Sequence, residues 1–262
     1  MIEGSLLSHL LELRIRLIRI ISGLMIGFIP CAFYARELYT ILAQPLLEKL
    51  PQGGQMIATD VATPFFVPMK VALMLAFVIT LPHTLYQVWA FVAPGLYTHE
   101  KRLALPLIVG SSLLFFSGML FAYFAALPLV FEFITYFAPE GVAVMTDINK
   151  YLSFVLSMFM AFGITFEVPV IVMVLVKTNL ISIEKLREIR PYVIVGAFVI
   201  AAIITPPDVV SQFMLAVPLC LLYEVGIIIA NATLKKTAKE STKTESAESA
   251  AKAAAEHDES NK

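Results

Sequence analysis

Five carboxylates stand out because of where they sit, and the chemistry open to each follows from its surroundings. Glu167 interrupts an apolar run, Phe162-Gly-Ile-Thr-Phe-Glu-Val-Pro169. A charge inside a bilayer costs at least about 2.5–3.5 kcal/mol, so such a residue marks a functional site or a polar group in a water-filled cavity. Glu12 lies in His9-Leu-Leu-Glu-Leu-Arg14, four residues before Arg16. On a solvated helix that pair is worth about 0.2–0.5 kcal/mol, and position alone gives Glu12 no further role. Glu100 sits beside Lys101 and Arg102 and reads by position as a solvated charge. Glu224 falls near the end of an apolar run, where snorkelling competes with function. Glu132 reads as interfacial.

The other reactive side chains exclude the common enzymatic constellations. His9, His83, His99 and His257 lack ligand spacing, and Cys31 and Cys220 each lie inside an apolar run. Neither a disulfide framework nor a metal site follows from them. No G-x-S-x-G, H-E-x-x-H or phosphate-cradling glycine loop occurs in the chain. Ser111, Ser112 and Thr80 read as interhelical hydrogen-bonders. The expectation is a non-enzyme with no cofactor, no metal and no nucleic-acid partner.

The elements that must position these residues are membrane spans. Hydrophobic residues make up 59% of the 262, and charged residues 15%. Soluble proteins run at about 45–50% and 25%. Mean hydropathy is +0.83, and uncharged runs exceed the roughly 18–20 residues that cross a ~30 Å hydrocarbon layer. An all-α membrane protein follows. Residues 1–16 are expected to form an amphipathic surface helix, with leucines at three- and four-residue spacing. Glu3 and Glu12 argue against a cleaved signal peptide. Six spans are expected at about 17–35, 71–93, 103–131, 151–176, 191–205 and 209–230. The last two are short and joined through Thr205-Pro-Pro-Asp208. The 36–69 segment, containing Pro45, reads as a long ordered loop with short helical pieces. Residues 235–262, with six Lys and six Asp or Glu among Ala, Ser and Thr, read as a disordered tail.

Six spans place both termini on one side. Fifteen basic residues then fall on that side, and Arg36, Lys49 and Lys150 on the other, with Lys70 at the boundary. The positive-inside rule makes the termini cytoplasmic, with Pro45 and Asp208 in external loops. No internal repeat is found, which weakens the alternative of a proton-coupled small-solute transporter using Glu167.

Taken together, several segments resemble the TatC family, the polytopic signal-peptide receptor subunit of the twin-arginine protein translocase. They are His9–Arg14, Met56-Ile-Ala-Thr-Asp-Val-Ala-Thr-Pro-Phe-Phe66, Tyr86-Gln-Val-Trp-Ala-Phe-Val-Ala-Pro-Gly-Leu-Tyr97 with His99-Glu100, Phe162–Pro169, Arg190-Pro-Tyr192 and Thr205–Asp208. Glu132 departs from the family pattern. The resemblance implies a concave six-helix receptor in a bacterial plasma membrane. Its partners would be twin-arginine signal peptides of folded cargo, single-span subunits of the TatA and TatB type, further copies of itself and membrane lipid. Export would be driven by the proton-motive force. Glu12 and Glu100 would bind the arginine pair, with His9, Arg14, Phe91, Pro94, Tyr97 and Arg102 shaping the surface around them. Glu167 would be a polar feature of the concave face. Thr205, Gln212 and Glu224 would contact the single-span partners, or else only satisfy one another.

Overall fold

The computed structural model describes the backbone of residues 2–47, 56–92, 101–136, 146–205 and 209–259. Side chains are described within 9–44, 56–91, 105–133, 147–205 and 209–234, and at 136. The chain is almost wholly helical. It runs α1 (Ile2–Phe33), α2 (Ala35–Leu47), β1 (Met56–Ile57), α3 (Thr63–Val92), α4 (Lys101–Phe121) and α5 (Leu127–Tyr136). It continues through β2 (Thr146–Asp147), α6 (Ile148–Phe166), α7 (Val168–Lys177), α8 (Ile183–Glu188), α9 (Arg190–Ile204) and α10 (Val209–Glu259).

Among the described residues, five stretches are long and apolar enough to cross a membrane: His9–Phe33, Thr63–Phe91, Leu105–Phe133, Ile148–Lys177 and Val209–Leu234. A sixth apolar helix, Arg190–Ile204, is shorter. Its 15 residues rise about 22 Å, short of the hydrocarbon thickness, as the sequence suggests. The last span, expected to be short as well, instead runs 26 residues from Val209 to Leu234, because Glu224 is paired with Arg190 and does not end it.

Three other elements differ from expectation. The surface helix over 1–16 and the span over 17–35 are one continuous helix. No Gly or Pro separates Leu6 from Ile21, and the Glu12–Arg16 pair reinforces the turn between them. The second span, expected from 71, already begins as α3 at Thr63, while α2 is one of the helical pieces expected within 36–69. The expected disordered tail continues α10 as helix to Glu259. Low hydrophobicity argued for disorder there, but Ala, Glu and Lys are strong helix formers and keep the backbone helical.

Small residues let the spans approach. Lipid is as apolar as the core, so packing and hydrogen bonds, more than hydrophobic burial, hold helices together in a membrane. On α1, Gly23, Gly27 and Cys31 recur every four residues. Gly27 packs so close to α3 that a Cβ there would lie 2.8 Å from Thr80 Cγ2, and Cys31 is buried with Ala72 and Ala76. Where α4 crosses α6, a side chain at Gly118 would collide with the Phe162 carbonyl. The main core forms around that crossing, with Leu127, Val130, Val155, Met158, Phe162 and Leu215 almost wholly buried. Between α4 and α5, a π turn at Ala122–Ala126 is closed by Leu127 N–H donating to the Ala122 carbonyl. At one end, β1 and β2 pair in parallel, Met56 with Thr146 and Ile57 with Asp147.

Candidate functional site

Polar side chains gather in four places. The first lies where the N-terminal half of α1 meets the C-terminal end of α3. Arg16 donates to Glu12 Oε1 from Nε at 2.9 Å and from Nη2 at 2.5 Å. Its Nη1 also reaches Gln87 Oε1 at 3.4 Å, anchoring the pair to a glutamine that is 3% exposed. Both strong bonds land on Oε1. Oε2 of Glu12 therefore has no partner among the described residues and is open to a further donor. One turn away, His9 stacks on Phe91 with ring centroids 4.4 Å apart and planes 18° from parallel. Arg14 is exposed on the same helix. The structure thus brings Glu12, His9 and Phe91 onto one surface. Pro94, Tyr97 and Glu100 lie outside the described residues, as does the side chain of Arg102, whose backbone begins α4.

The second place is the break in the fourth span. Glu167 separates α6 from α7, with Pro169 at the start of the second piece. Pro169 lacks an N–H and cannot continue the ladder, so the helix breaks there. Glu167 is 6% exposed, enclosed by protein, and neither carboxylate oxygen has a hydrogen-bond partner among the described residues. Ser111 of α4 stands beside it without forming a well-aligned bond. The Ser111 hydroxyl instead accepts at 2.9 Å from the indole of Trp89, the chain's one tryptophan.

The third place is the α9–α10 hairpin. Glu224 accepts from Arg190 Nη2 at 2.6 Å. Gln212 donates to the Phe198 carbonyl at 3.1 Å, and Thr205 to the Ala201 carbonyl at 2.8 Å. These three residues do not satisfy each other; each binds α9. Upstream, α7 ends in a turn in which Asn179 adopts φ 56° and the Leu180 N–H bonds the Leu175 carbonyl, directing the chain into α8.

The fourth place is the β-paired end. The side chain of Pro45 and all of Asp208 lie outside the described residues. Asp147 caps α6 by accepting from the Asn149 and Lys150 N–H groups at 3.0 and 2.9 Å. It also accepts from Thr59 Oγ1 at 2.6 Å and Thr59 N–H at 3.2 Å. The Thr59 hydroxyl leads these donors in holding the carboxyl down at about 2. Lys70 adds a 2.7 Å bond to Asn149. Sequence reasoning singled out none of Gln87, Thr59, Asp147 or Arg190 as a site residue. A capping aspartate ahead of an apolar run was the available signal for Asp147.

Six apolar helices packed through small residues, with polar clusters at the helix ends and a carboxylate enclosed between them, define a polytopic α-helical membrane protein. Residues 8–218 match the family described as Sec-independent protein translocase protein (TatC). The TatC protein of Escherichia coli K12 is 52% identical over 225 residues, covering 86% of this chain and 87% of that one. That of Aquifex aeolicus is 42% identical over 233 residues, covering 88% and 96%. A crystal structure of the twin-arginine translocase receptor TatC superposes with a TM-score of 0.76 at 42% identity, covering 86% of this chain and 98% of that one. The chain belongs to the TatC family.

Proposed function

We propose that this protein is the signal-peptide receptor subunit of a twin-arginine translocase in a bacterial plasma membrane. It binds signal peptides bearing consecutive arginines, works with single-span subunits of the TatA and TatB type, and passes folded cargo across at the expense of the proton-motive force. It catalyses no covalent chemistry. The observation that carries this reading is the Glu12 carboxylate on the α1–α3 surface, with Oε1 held by Arg16 and Oε2 without a partner among the described residues. A guanidinium binds such an oxygen through charge-assisted, geometrically matched hydrogen bonds that an ammonium cannot reproduce. Glu100 supplies the second carboxylate of the pair, Thr205, Gln212 and Glu224 meet the single-span partners, and both termini are cytoplasmic.

The test is export of a folded reporter behind a twin-arginine signal in cells lacking their own receptor. This chain should restore export, whereas a small-solute transporter would not. Glu167→Gln should insert and assemble normally with reduced export. Glu167→Leu should reduce it further, because it also removes the hydrogen-bonding groups from an enclosed polar position. Wild-type export from Glu167→Leu would remove Glu167 from the mechanism.

A further inference from the structure

At the β-paired end, where α1 gives way to α2 and α3 begins, a cavity of about 450 Å³ opens between the three helices. That volume lies within the range of about 300–1,000 Å³ typical of small-ligand sites. Phe33, Val61, Pro64 and Phe65 supply its apolar wall, and Arg36 and Glu37 its polar edge. Two spans terminate here, one at Phe33 and one at Thr63. The cavity therefore lies at the depth where hydrocarbon gives way to headgroups. Phe33 and Phe65 are 80% and 65% exposed, as side chains facing lipid would be.

Two charged residues, Arg36 and Glu37, stand together at the edge of this cavity. Lys70 is bonded to Asn149, and Asp147 has four donors. By contrast, the side chains of Arg36 and Glu37 make no hydrogen bond or ion pair among the described residues. Adjacent, opposite and solvent-accessible charges beside an apolar cavity at headgroup depth complement a ligand with a phosphate and a primary ammonium side by side above two acyl chains. Guanidinium suits the phosphate through paired N–H bonds, and a carboxylate accepts from the ammonium.

We propose that this cavity is a phospholipid site selective for an ethanolamine headgroup. Arg36 holds the phosphate, Glu37 holds the ammonium, and Phe33 and Phe65 pack on the glycerol and the first acyl carbons. The test is native mass spectrometry of the full chain in mild detergent, titrated with phosphatidylethanolamine or phosphatidylglycerol, with and without millimolar inorganic phosphate. Wild type should retain phosphatidylethanolamine in preference to phosphatidylglycerol, and inorganic phosphate should not displace it. R36Q should weaken both lipids about three- to five-fold, as expected for a solvent-accessible charge pair, and R36K should recover part of that loss. E37Q should remove the preference while leaving phosphatidylglycerol binding unchanged. K150Q, an exposed cation at the same end, should behave as wild type. Wild-type lipid retention in the R36Q/E37Q double variant, an equal loss in K150Q, or displacement by inorganic phosphate would each overturn the proposal.

Discussion

Asp147 joins two segments that are 88 residues apart in sequence, because one carboxylate both caps α6 and accepts from Thr59. Its donors favour the charged form, so its carboxyl titrates at about 2, below the ordinary value of 3.8. A carboxyl lowered on folding contributes stability that is complete above the unfolded value and lost as pH falls through the folded one. The melting temperature of the purified protein should accordingly drop between about pH 4 and pH 2. Asp147→Ala should melt lower than wild type at neutral pH and show a shallower drop across that window; parallel curves for the two proteins would remove this role. Residues of this kind are hard to see in sequence. Glu167 announces itself because a charge in an apolar run is expensive wherever the chain folds, and Glu12 because a family motif surrounds it. Gln87 and Thr59 are ordinary polar residues until Arg16 and Asp147 are brought to them, and periodicity gives no sign of a partner so far along the chain.

At the scale of elements, the α4–α6 crossing is the sharpest test of how the helices pack. Gly118 lies so close to α6 that any added Cβ would meet the Phe162 carbonyl, and the Phe166 ring stands 3.0 Å away. A backbone carbonyl cannot rotate aside as a side-chain tip can. Gly118→Leu should therefore cost about 1–3 kcal/mol, the usual penalty for overpacking. Gly110→Ala, on the same helix with nothing within 4 Å of its added Cβ, should be neutral or slightly stabilising. Thermal unfolding in detergent compares the two, and equal melting temperatures would mean that the helices do not meet as described. The helices themselves are legible because long uncharged runs fit a bilayer far better than they fit water. The join between the surface helix and the first span is not, since a change of environment from water to lipid need not break a helix. The β1–β2 pair is invisible for a simpler reason: two residues cannot display a period of two.

Across the whole molecule, charge asymmetry orients the bundle and the bundle decides what its surface can bind. Fifteen basic residues on one side predict cytoplasmic termini. Cysteine at Gln52 should thus react with an impermeant thiol reagent outside intact spheroplasts, and cysteine at Ser249 only after lysis; the reverse pattern would invert the topology. Under the proposed function, that orientation would put Glu12 and Glu100 on the face that meets a signal peptide before export. The central claim is that the two carboxylates jointly read its arginine pair, and affinity of a twin-arginine signal peptide for the protein in membranes, at matched protein levels, tests it most directly. Hydrogen bonds to charged groups contribute roughly 1.5–3 kcal/mol, so Glu12→Gln or Glu100→Gln should each weaken binding about ten- to 150-fold. The double variant should be weaker still, though less than additive where both groups hold one peptide. Glu184→Gln, an exposed carboxylate on α8 outside the recognition segments, should change little. Wild-type affinity in the Glu12→Gln, Glu100→Gln double variant, or an equal loss from Glu184→Gln, would contradict the account.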